Sequence, residues 1–151
     1  MFKHKRPIFF HLLTLFLVVT VAGVTFPAPA QSFQNSAPVL LNFDKTLVGQ
    51  GVWKGTVSGG VTGNLRTELT SLQVAGPIWL VGFNWIIDAG EYSFTARLNG
   101  TLNTLTGQVV MNGTVVEGWL LGAQVHEEGQ LVDPNTLRFQ GTIQVMPATS
   151  N

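Results

Sequence analysis

Apolar and polar residues alternate with period two over long stretches of the chain. Phe94, Ala96, Leu98, Gly100 and Leu102 share one parity, and Ser93, Thr95, Arg97, Asn99 and Thr101 share the other. Leu137, Phe139, Gly141, Ile143 and Val145 alternate in the same way with Arg138, Gln140, Thr142 and Gln144. Successive side chains of a strand point to opposite faces, so this pattern predicts strands with one face in a core. Such strands are expected near 39–44, 47–58, 61–73, 78–87, 92–102, 108–117, 119–126 and 137–146, about eight in all. Turn residues separate them at Ser58-Gly59-Gly60, Gly76-Pro77, Asp88-Ala89-Gly90-Glu91, Thr104-Leu105-Thr106-Gly107 and Asp133-Pro134-Asn135-Thr136, where chain reversals favour Gly, Pro, Asn and Asp. No stretch after the first thirty residues has helical periodicity. The expected fold is an all-β, antiparallel, up-and-down barrel, with a β-sandwich as the alternative.

A short echo sharpens the choice. Apolar-polar-Gly-Thr-apolar occurs at Trp53–Val57, Leu98–Leu102, Met111–Val115 and Phe139–Ile143. A two-residue Asn-Gly hairpin at 99–100 would place Leu98 and Leu102 on opposite faces, whereas a continuous strand places both inside. The echo therefore reads as a strand motif with glycine on the inner face, where it relieves crowding in a sharply coiled barrel.

The N-terminus departs from this pattern. Lys3, Lys5 and Arg6 precede an apolar run from Ile8 to Val24, and Pro27-Ala28-Pro29-Ala30 follows. This is the layout of an export signal, with cleavage expected between Ala30 and Gln31. The alternative is an uncleaved anchor, since the run approaches the roughly 20 residues of a membrane-spanning helix. Residues 31–38 read as a linker and 39–147 as one domain. Cleavage removes three of eight Lys+Arg and leaves all eight Asp+Glu, for a net charge of −3. It also leaves His126 as the single histidine. A mildly acidic, secreted or extracytoplasmic domain with scattered cations is no nucleic-acid binder, and its only expected route to a membrane is the leader. Cysteine is absent, which excludes disulfides, a lipidated cleavage site and cysteine-based metal sites. No cofactor or metal is expected.

The closing strand Phe139-Gln140-Gly141-Thr142-Ile143 and the opening strand Gly49-Gln50-Gly51-Val52-Trp53 give the chain a pattern that resembles calycin-type small barrels, in particular the allene oxide cyclase and dirigent group. The resemblance implies an eight-stranded barrel that self-associates, as dirigent-like barrels do. No catalytic residue carries over, because no motif matches residue by residue. The Gly-Thr-rich text is also similar to small exported bacterial proteins without an assigned function.

Candidate chemistry follows from the inward-glycine rule. Applied to Gly82, the rule turns Trp79, Val81, Phe83, Trp85 and Ile87 outward as an apolar stripe, an expected self-association surface through Trp79, Phe83 and Trp85. Applied to Gly122, it turns Gln124 and His126 inward, with Asn84 and Glu117 on the inner parity of their own strands. His126 and Glu117 would then form a general acid–base pair, with Asn84 and Gln124 orienting a ligand. The competing reading puts His126 on a solvated rim beside Glu127-Glu128-Gly129. Trp119 joins Trp53, Trp79, Trp85 and Tyr92 as a stacking platform, or as core. The leading expectation is a non-enzymatic barrel that binds a small apolar ligand or self-associates at the cell surface. A cyclase- or isomerase-type enzyme is the principal alternative, and a structural envelope component the third.

Overall fold

The computed structural model describes residues 37–148. The expected signal peptide, and the linker up to residue 36, lie outside the described residues. Eight strands follow in order: β1 (Val39–Gly49), β2 (Val52–Gly59), β3 (Gly63–Ala75), β4 (Ile78–Asp88), β5 (Phe94–Asn103), β6 (Gln108–Gly118), β7 (Gln124–Asp133) and β8 (Arg138–Met146). Each pairs antiparallel with the next, and β1 pairs with β8, so the sheet closes into an up-and-down barrel. Closure leaves no edge strand.

The echo glycines show how the closure is achieved. Gly55, Gly100, Gly113 and Gly141 all lie on the inward parity. A Cβ at each would collide with a backbone carbonyl of the neighbouring strand: Asp44, Val110, Arg97 and Glu128, respectively. The strands coil so tightly at these four points that only a residue without a side chain fits. The core-facing residues beside them are buried, among them Leu98, Met111, Val115, Ile143 and Val145.

Two faces differ from expectation. On β4 the buried apolar side chains are Val81, Phe83, Trp85 and Ile87, with Trp79 half-buried against them. The expected interface stripe is therefore inside the barrel. Gly82 faces out, where a Cβ would meet the side chains of Ser71, Asn99 and Thr70. It accommodates the outer-face crowding beside the bulge that breaks β3–β4 register between Leu69 and Ser71. Inside, Trp85 pairs across from Ala96, whose small side chain leaves room for the indole.

The second difference is β7. The expected strand at 119–126 is instead a turn followed by a strand that starts at Gln124. Leu120 and Gly122 take positive φ values of 57° and 84°, and Ala123 N–H donates to the Leu120 carbonyl. Gly122 is thus a turn glycine, and the inner series is Ala123, Val125, Glu127, Gly129 and Leu131. Gln124 is exposed and His126 turns to the outer face. A bulge on β6 opposite Thr95 and Ala96 similarly inserts Val116 and leaves Glu117 exposed.

The two ends of the barrel are unlike. At the end carrying the β4–β5 and β6–β7 connections, Trp119 packs edge-on against Tyr92, centroids 5.2 Å apart, and tilted against Phe94 at 6.3 Å. At the opposite end the interior opens.

Candidate ligand cavity and its buried ion pair

An eight-stranded barrel has an interior just wide enough to be filled by side chains or to hold one small ligand. Here one half is filled and the other is a cavity of about 220 Å³ toward the β1–β2, β3–β4, β5–β6 and β7–β8 turns. Trp53, Leu69, Trp79, Leu102, Val109 and Phe139 contribute to its wall, and among the described residues the only charged one on that wall is Lys45. Trp53 crosses edge-on to Phe83 at 5.4 Å, and its Nε1–H donates to the Leu137 carbonyl at 3.0 Å. That bond ties β2 to the β7–β8 turn. Leu137, held at φ 47°, lines the cavity from this turn.

Lys45 occupies the fourth inward position of β1, after Val39, Leu41 and Phe43, and is 5% exposed. Its Nζ lies 3.8 Å from the centroid of the Trp85 ring, 5.0 Å from Phe43 and 5.4 Å from Phe83. Three aromatic faces thus surround the ammonium, an arrangement that recovers part of its lost hydration through cation–π attraction. The remaining charge is met by Glu127 of β7, 1% exposed, whose Oε1 is 3.4 Å from Nζ. Gly129 and Gly141 make the space for this meeting: a Cβ at either would contact the Phe43 ring, at 3.0 and 2.9 Å.

Burial acts on both members of the pair in the direction of neutrality. Desolvation lowers the Lys45 ammonium from its ordinary value, opposed by the attraction of Glu127. Desolvation raises the Glu127 carboxyl from 4.5 to about 7, opposed by Lys45. Among the described residues, Glu127 Oε2, Thr67 Oγ1 and Trp85 Nε1 have no hydrogen-bond partner, so the polar centre of the barrel retains unused hydrogen-bonding capacity.

The residues singled out from the sequence are not assembled here. His126 is on the outer face, with Nδ1 2.8 Å from Asn112 Oδ1 and Nε2 3.2 Å from Glu128 Oε1. Glu117 is exposed and pairs in register with Thr95, while His126 pairs with Asn112 farther along β6. They form no interior acid–base pair. Asn84 is half-buried on the outer parity of β4, between Glu68 and Arg97. Gln124 is exposed, and Trp119 packs at the filled end rather than on the cavity wall.

Lys45 and Glu127 escaped the sequence reading for a definable reason. Each is an ionisable residue at a position whose neighbours two apart are apolar or glycine: Phe43-Asp-Lys45-Thr-Leu47 and Val125-His-Glu127-Glu-Gly129. One cation and one acid, both on core parity in a chain with few charges, were the available signal. Taking Gly122 as a strand residue inverted β7 and hid the acid. No family model, curated protein or solved structure matches this chain.

Proposed function

We propose that the protein is a binding barrel for one small, mostly apolar molecule whose polar end meets Lys45. The observation that carries this reading is an apolar cavity with a single charged residue on its wall. A volume of about 220 Å³ exceeds the roughly 150 Å³ of an engineered cavity that holds benzene. One ring with a short chain, or an unbranched chain of similar bulk, is the matching size. The head group is expected to be neutral and to accept a hydrogen bond. Lys45 is already balanced by Glu127, and an anionic head would add an unpaired charge to an apolar site. Sites of this kind combine apolar walls with a few placed polar groups that set orientation.

Cinnamyl alcohol titrated against intrinsic tryptophan fluorescence provides the test, since Trp53 and Trp79 line the cavity. A saturable change is expected in the natural protein and should weaken sharply in Val109→Trp, whose larger side chain occupies part of the cavity, with folding of the variant checked by circular dichroism. Equal binding by that variant would place the ligand elsewhere. The Trp79–Trp85 stripe expected to drive self-association faces the interior, so it offers no outer surface for association.

A further inference from the structure

We propose that the cavity takes an aldehyde and retains it as an imine on Lys45. The inference rests on the reading of the cavity as an apolar-ligand site, and goes further by assigning covalent chemistry to its one amine. An amine attacks a carbonyl only when unprotonated, and lysines gain this capacity when desolvated in an apolar pocket. Lys45 lines a wall otherwise apolar, and its Nζ is surrounded by Phe43, Phe83 and Trp85. Glu127 Oε1, 3.4 Å away, reaches any group attached to the carbon that bonds to Nζ. Burial moves Lys45 and Glu127 toward the amine and carboxylic acid forms that the reaction needs.

The reaction balances within the site. The Lys45 nitrogen lone pair forms a bond to the aldehyde carbon while the carbonyl π electrons move to oxygen. A proton passes from nitrogen to that oxygen, giving the carbinolamine. Glu127 then donates its proton to the hydroxyl, the C–O bond breaks, water leaves, and the nitrogen lone pair forms the C=N bond. The product is a protonated imine beside the Glu127 carboxylate, with one water released and no oxidant or reductant consumed. The ion pair is thereby regenerated with the ligand attached, and the apolar wall limits hydrolysis by restricting water.

Incubation with cinnamaldehyde, reduction with cyanoborohydride and peptide mapping will test this. One adduct is expected on Lys45, favoured at least about tenfold over Lys54, which is exposed and has no apolar pocket around it. Excess cinnamyl alcohol should suppress that labelling. Glu127→Gln, which keeps the amine, should slow trapping by about a hundredfold through loss of the proton donor. Should the alcohol bind while Lys45 is labelled no faster than Lys54, the imine is overturned and the apolar-ligand reading survives. Should neither compound bind, both fall. Lys45→Met is the direct control. If that variant does not fold, the alcohol competition and Glu127→Gln still decide between the outcomes.

Discussion

Replacing both members of the buried pair with apolar residues should leave the barrel at least as stable as the natural protein, whereas replacing either one alone should damage it. The magnitudes follow from the geometry. Unit charges 3.4 Å apart attract by about 5 kcal/mol at an effective dielectric of about 20. Against this stands a desolvation cost of several kcal/mol for each ion, only partly offset by the aromatic faces around Nζ at roughly 0.5–2 kcal/mol. The pair therefore comes out close to break-even or unfavourable. Lys45→Met alone strands Glu127, and Glu127→Leu alone strands Lys45, each at about 3–5 kcal/mol. The double variant removes both desolvation costs and fills the space with matched side chains, for a change between zero and a gain of about 4 kcal/mol. Urea unfolding followed by tryptophan fluorescence reads all four proteins, and Trp85 beneath Lys45 reports directly on the site. Additive losses in the double variant would refute the reasoning, because two groups in contact cannot contribute independently. A double variant clearly less stable than the natural protein would show instead that the pair is net favourable to folding.

Three further outcomes are expected. The Glu127 carboxyl is held at about 7 in the folded barrel against an ordinary 4.5, so the folded state binds more protons between these values. Its contribution is present in full below pH 4.5 and is lost as pH rises toward 7, by about 3 kcal/mol at most; denaturant midpoints should fall across that window, and Glu127→Gln should flatten the profile. Gly100→Ala and Gly113→Ala should each destabilise by about 1–3 kcal/mol or more, because the new methyl group meets a neighbouring strand's carbonyl. Gly49→Ala, with open space around it, should be neutral or slightly stabilising, by up to about 1 kcal/mol; equal losses at all three sites in thermal melts would contradict the tight-coiling account. His126→Gln should leave cinnamyl alcohol binding unchanged, since the imidazole bonds Asn112 and Glu128 on the outer face, and a large loss of binding in the same titration would contradict that placement.

The period-two alternation determined much of the architecture by itself. It marked an all-β domain and about eight strands, and the turn residues at 58–60, 76–77, 88–91, 104–107 and 133–136 mark five of the seven connections. Glycines on the inner parity of β2, β5, β6 and β8 signalled the coiling of a closed barrel, and the backbone of the neighbouring strand does approach all four. These features are local: each needs only a few consecutive residues to be read.

Tertiary structure decided the rest. The face of β4 followed from its pairing with β5, which sets Phe83 against Leu98 and Trp85 against Ala96. Burial of large aromatics outweighed the position of Gly82, which answers a bulge on the outside. The face of β7 turned on a tight connection in which Gly122 has positive φ. With a period of two, a single extra residue sends every later side chain to the opposite face. His126 thereby moved out and Glu127 moved in. The meeting of Glu127 with Lys45, 82 residues away in sequence, exists only because the barrel closes. Alternation along one strand can say that a charge faces the core; only closure says which charge it meets there, and whether the space beside them is filled or open.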